Sequence, residues 1–107
     1  MKISLLYERD KHIFRVDNMS EKLALDLQLR NLIEQFNQIP YNSEMPHFIV
    51  LGTSKFKIRK KKSMFSFRFI LGNNEEMEYR ITKDRGEIII KDSIEGTIRG
   101  KHEYIYN

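Results

Sequence analysis

Residues 18–40 read NMSEKLALDLQLRNLIEQFNQIP, and whether this stretch is helix or strand decides the fold. Within it, Leu23-Ala24-Leu25-Asp26-Leu27-Gln28-Leu29 sets a Leu at every second position, as a half-buried strand would. Three signals outweigh that alternation. Leu, Glu, Lys and Gln dominate, and these lose little rotamer freedom in a helix. Asn18 followed by Glu21 has the spacing of a capping box. Pro40 supplies a stop, because proline restricts the residue before it to extended backbone. The spacing therefore predicts one long helix ending before Pro40. Its core face is Leu25, Leu29, Leu32, Ile33 and Phe36, a stripe suited to packing on a sheet. Met19, Leu23 and Leu27 recur every four residues on nearly the opposite side, so the first half of the helix is apolar on two faces. Such a helix is either sandwiched between layers or offers a docking stripe to another subunit, which makes a homodimer one expectation.

Working outward, residues 3–8 and 12–16 are short apolar-rich runs around Arg9-Asp10-Lys11, a hairpin pattern with Ile3, Leu5 and Tyr7 on one face. Beyond a loop at 41–46, strand patterns follow at 47–51, 55–60, 64–71, 77–83 and 87–91. Turn signals lie at Asn73-Asn74 and Asp84-Arg85-Gly86. Residues 93–100 contain two Gly and weak periodicity and are expected to be irregular, with room for a terminal strand at 102–106. The fold class is α+β: a single domain spanning 1–107, with one long helix packed on a mostly antiparallel, meander-like sheet of five to seven strands.

Composition bounds the function. At 107 residues, with 40% hydrophobic and 11% aromatic residues, the chain can bury one core of its own, unlike disordered chains of low hydrophobicity. The absence of Cys excludes disulfides, thiolate metal ligands and a cysteine nucleophile, and fits a reducing compartment. The opening MKISLLYERD is interrupted by charge too early for a signal segment, and no stretch approaches a membrane span. A soluble, cytoplasmic protein without a membrane partner is expected. Fourteen Ile against two Val and one Ala resemble coding from an AT-rich genome, such as that of a low-GC bacterium, its phages or its plasmids.

The charge is local. The window Met45–Asn74 holds seven of the 19 Lys and Arg and none of the 15 Asp and Glu, so the rest of the chain is net negative. At its centre runs KFKIRKKKSMFSFRF, residues 55–69. Strand periodicity of two separates its residues. Phe56 and Ile58 point one way and Lys55, Lys57 and Arg59 the other; Phe65, Phe67, Phe69 and Leu71 share a face whose reverse carries Met64, Ser66, Arg68 and Ile70. Met77, Tyr79 and Ile81 likewise oppose Glu78, Arg80 and Thr82. The reading is a basic β-hairpin, 55–60 paired with 64–71, with Lys60-Lys61-Lys62 at its tip and the aromatics turned to the core. Lys55, Lys57, Arg59, Lys60, Lys61, Lys62, Arg68 and Arg80 then form an outer face able to hold a nucleic-acid backbone, a nucleoprotein or an acidic protein surface, with little base reading. A mimic of nucleic acid is excluded, because mimicry needs a dense acidic face and this chain is net +4.

Catalytic signals are sparse. His12, His47 and His102 stand far apart, no phosphate-binding glycine loop or nucleophile elbow occurs, and neither a metal site nor a cofactor is expected. Glu75, Glu76 and Glu78 fall at an expected turn, where solvated charge is the ordinary explanation. The expected function is a small non-enzymatic binding protein, of the kind a phage or mobile element turns against a host nuclease system. The alternative is a metal-independent ribonuclease of the small bacterial toxin type, using His102 with Tyr104, or Glu78 with Arg80 and Arg59.

Overall fold

In the computed structural model, which describes residues 6–8, 13–15 and 19–106 and the side chains from Lys22 to Tyr106, the long helix α1 runs Met19–Gln38. Leu25, Leu29, Leu32, Ile33 and Phe36 are all buried, as the 3.6-residue spacing requires. The Asn18–Glu21 cap and the side chain of Met19 lie outside the described residues. Among the described residues eight strands accompany the helix: β1 (Leu6–Glu8), β2 (Ile13–Arg15), β3 (His47–Leu51), β4 (Ser54–Ile58), β5 (Met64–Gly72), β6 (Glu75–Thr82), β7 (Arg85–Asp92) and β8 (Ile98–Ile105). β1 pairs antiparallel with β2, which matches the described part of the expected N-terminal hairpin; Ile3 and Leu5 and the loop 9–11 lie outside it.

The α+β class and the antiparallel meander are as expected, but the strands form separate sheets. β5–β6–β7–β8 is a four-stranded meander, β3–β4 is a two-stranded sheet, and β1–β2 is another. The expected hairpin of β4 with β5 does not form. Gly52, at φ 59°, lets the chain turn tightly between Leu51 and Ser54, which face each other across the β3–β4 pair. Residues 59–63 then cross from one sheet to the other. Asn73 and Asn74 do turn β5 into β6, both at positive φ (50° and 60°), the geometry that twisted hairpins favour. β8 begins at Ile98, inside the stretch expected to be irregular.

Helix α1 and the β3–β4 pair lie side by side on one face of the four-stranded sheet. The Gln35 side chain joins them: its Nε2 donates to the Val50 carbonyl at 2.9 Å and its Oε1 accepts from the Val50 amide at 2.8 Å. A side chain thereby completes the edge of β3 that β4 leaves open. Beneath the helix, Gly86 of β7 allows close approach, since a Cβ there would lie 3.2 Å from Leu29 Cβ. Beneath the β3–β4 pair, Phe56 stacks on Phe67 at 4.2 Å and Phe67 on Tyr79 at 4.8 Å. Phe67 therefore belongs to the core with Ile49, Ile58, Met77, Ile81, Ile88 and Ile90, and Phe56, Phe65 and Phe69 are half-buried and pack against it. Polar ties cross the same interior: Tyr79 Oη donates to Gln28 Oε1 at 2.7 Å, and His102 Nε2 lies 2.8 Å from Asp26 Oδ1.

Candidate nucleic-acid interface

Because Phe56 and Ile58 face inward, Lys55 and Lys57 on β4 face out, and the crossover that follows exposes Arg59, Lys61 and Lys62. None of these five cations has an acidic partner among the described residues. Lys22, Arg30, Arg68, Arg80, Arg85, Lys91, Arg99 and Lys101 all have one. The cause is topological: β3 and β4 both come from the acid-free window and pair with each other, so no neighbouring strand brings a carboxylate alongside.

Lys60 departs from the expected patch. It is only 6% exposed, because its Nζ turns inward and donates to the Phe36 carbonyl at 2.8 Å. The ammonium also sits 4.2 Å from the Phe36 ring centroid and 4.6 Å from that of Tyr41. The last turn of α1 carries no basic residue of its own, and Lys60 supplies from the crossover the positive charge that helix C-termini favour. Lys60 is thus a fold residue and does not belong to the outward basic surface. The Phe36 carbonyl also accepts from the Ile39 amide at 3.2 Å, so Lys60→Met, which keeps most of the stem and removes the ammonium donor, is expected to cost about 1.5–3 kcal/mol, the net worth of a hydrogen bond from a charged group. Burial holds the Lys60 ammonium below the ordinary lysine value. The folded chain therefore releases this proton at a lower pH than the unfolded chain, and stability gains as pH rises through that alkaline window. Urea melts across that window should show the Lys60 gain missing in the variant; an unchanged pH dependence would refute the assignment.

Arg68 and Arg80 are separated from the five by the core. They project from the outer face of the four-stranded sheet, where carboxylates hold them. Arg68 lies 3.8 Å from Glu76, and Arg80 Nε donates to Glu78 Oε2 at 2.9 Å. Lys91 Nζ bonds the other Glu78 oxygen at 2.7 Å. The hydrogen bond from Arg80, with help from Lys91 and against the effect of burial, holds the Glu78 carboxyl below the usual carboxylate range. Arg85 and Lys101 pair with the buried Glu87 on the same face. Glu75 and Glu78 are consequently buried and paired, not solvated, Glu75 through Arg99 at 3.4 Å.

Of the two sets considered for catalysis, one is turned into the core and the other is split between layers. His102 and Tyr104 lie on the inward face of β8, His102 buried against Asp26. Glu78 and Arg80 face out from the other side of that sheet, and Arg59 follows β4 in the opposite layer, so the second set is not assembled. Among the described residues no group of three or more His, Cys, Asp or Glu is placed to hold a metal ion, and no helix is long and apolar enough to cross a membrane. On α1, Leu23 and Leu27 are 52% and 62% exposed.

One residue on the basic face escapes a reading of the sequence. Phe48, on the outward side of β3, is 42% exposed, stands opposite Lys57, and has Lys55 Nζ 4.1 Å from its ring centroid. The run His47-Phe48-Ile49-Val50-Leu51 is apolar without interruption, so period two cannot tell which of its residues face water. Comparisons with protein-family models, curated proteins and solved structures return no match.

Proposed function

We propose that the chain is a non-enzymatic binding protein whose segment 55–62 holds a nucleic-acid backbone, free or within a nucleoprotein. The observation that supports this is the set of five outward cations, Lys55, Lys57, Arg59, Lys61 and Lys62, without ion-pair partners among the described residues, in contrast to Arg68, Arg80, Arg85, Lys91 and Lys101 across the core, each held by a carboxylate. Clustered like charges repel one another and raise the local potential. Phosphates relieve that repulsion and release condensed counterions on binding. The burial of His102 against Asp26 and the separation of Arg59 from Glu78 and Arg80 favour holding over cutting. Measured with a random duplex, the logarithm of the affinity should fall linearly and steeply with the logarithm of salt concentration; a flat response ends this reading.

The apolar stripe of α1 supports a second contact, self-association. Leu23 and Leu27 are exposed on the helix surface while their neighbours Leu25 and Leu29 are buried. The double substitution Leu23→Glu, Leu27→Glu is expected to keep folding stability within about 0.5 kcal/mol, as for exposed positions generally, and to convert a dimer into a monomer by sedimentation. A monomeric wild type removes the dimer at once.

A further inference from the structure

We infer that the outer face of β3–β4 is a stacking platform for single-stranded nucleic acid, on which a base lies against Phe48 while Lys55, Lys57 and Arg59 take the flanking phosphates. This rests on the proposed function and gives it a substrate form. Recognition of unpaired bases requires an aromatic ring on the same exposed face as the cations, because the ring supplies stacking and the cations supply charge. The Phe residues of β4 and β5 fail that requirement, since they are turned to the core. Phe48 meets it. It is exposed, its direct cross-strand neighbour is Lys57, and the next outward pair along the ladder is Val50 with Lys55. β3, β4 and the crossover carry no carboxylate, and Glu44, which lines a shallow hollow with Lys57 and Arg59, makes no ion pair with them among the described residues.

The Lys55 ammonium over the Phe48 ring does not block the site. An exposed cation–π contact is worth about two- to fivefold in an equilibrium, whereas a base stacked on an aromatic side chain is worth about fivefold to a hundredfold. A base therefore displaces the ammonium, which is freed beside a phosphate. In a duplex both faces of every base are already stacked, so Phe48 adds nothing there. The platform should prefer single strands.

The test compares fluorescein-labelled oligothymidylate of about 15 nucleotides with an abasic strand of the same phosphate count, a duplex, and polyglutamate as an acidic-peptide probe. Wild type is expected to bind the thymidylate about tenfold more tightly than the abasic strand. Phe48→Ala should bring the two strands together by weakening the thymidylate alone, and Lys57→Ala should weaken both. The chain contains no Trp and five Tyr, so Phe48→Trp places on the face a single tryptophan that can be excited selectively at the red edge of tyrosine absorption. Its emission should be quenched by thymidylate and unchanged by the abasic strand. Equal wild-type affinity for the two strands, or an unquenched tryptophan, overturns the platform and leaves phosphate holding intact. Polyglutamate binding with the same dependence on Phe48 overturns it in favour of an acidic peptide. Failure of the thymidylate, abasic strand and duplex alike to bind overturns both readings.

Discussion

Tyr79→Ala is expected to lower the unfolding free energy by about 3–5 kcal/mol, the range for removing a large buried aromatic. The side chain is wholly buried, lies parallel to Phe67 at 4.8 Å with planes 9° apart, and meets Phe69 edge-on at 6.1 Å. Through Phe67 it is linked to Phe56 of the other layer. A cavity here loosens both layers at once. Against a total of about 5–15 kcal/mol for an ordinary domain, the variant should be close to unfolding at ambient temperature. Tyr79→Phe isolates the hydroxyl. It leaves Gln28 Oε1 buried without its donor, for about 1–3 kcal/mol. It should also change the alkaline limb of stability. Burial raises the Tyr79 phenol far above its ordinary 10.0, so above that pH the unfolded chain loses a proton that the folded chain keeps. Stability then falls by about 1.4 kcal/mol per pH unit, and this slope should be absent from Tyr79→Phe in urea melts. If both proteins decline alike, the phenol is not the group responsible.

The triple substitution Lys57→Ala, Arg59→Ala, Lys61→Ala should reduce the slope of log affinity against log salt for a duplex by about 2.7, at about 0.9 for each phosphate that the variant no longer neutralises. All three side chains are exposed and have no acidic partner among the described residues, so folding should change little and the effect should appear in binding alone. Arg68→Ala and Arg80→Ala serve as controls, because Glu76 and Glu78 already neutralise those cations and the slope should stay as in wild type. A triple variant with the wild-type slope, or a control whose slope drops as far, would move the interface away from segment 55–62.

The helix, its core face and the inward aromatics are legible in the sequence because each is a local period: Leu25 to Phe36 at 3.6 residues, Phe65 to Phe69 at two. The pairing of β4 is not, although its signal is present. Lys60-Lys61-Lys62 resembles a hairpin tip by charge, whereas Gly52 carries the positive φ that makes the real turn. Lys60 cannot be told from Lys61 and Lys62 by sequence, since its role depends on where the end of α1 arrives in space. Glu75 looks solvated in the sequence for the same reason, its partner Arg99 being brought by a later strand, and Glu78 is buried by the strand that brings Lys91 to join Arg80 of its own strand. Chemistry set by neighbours in sequence is readable; chemistry set by neighbours across the fold is not.

The paired hydrogen bonds between Gln35 and Val50 carry a kinetic meaning. A two-stranded hairpin is marginal in water by itself, so β3–β4 is held in shape by the helix that seals its edge. Hydrogen exchange at the Val50 amide therefore clocks the docking of α1. The outward face that presents Phe48 and Lys57 is held by that dock together with the Phe56–Phe67 stack beneath it, so the ligand-holding surface and the helix are expected to open as one cooperative unit.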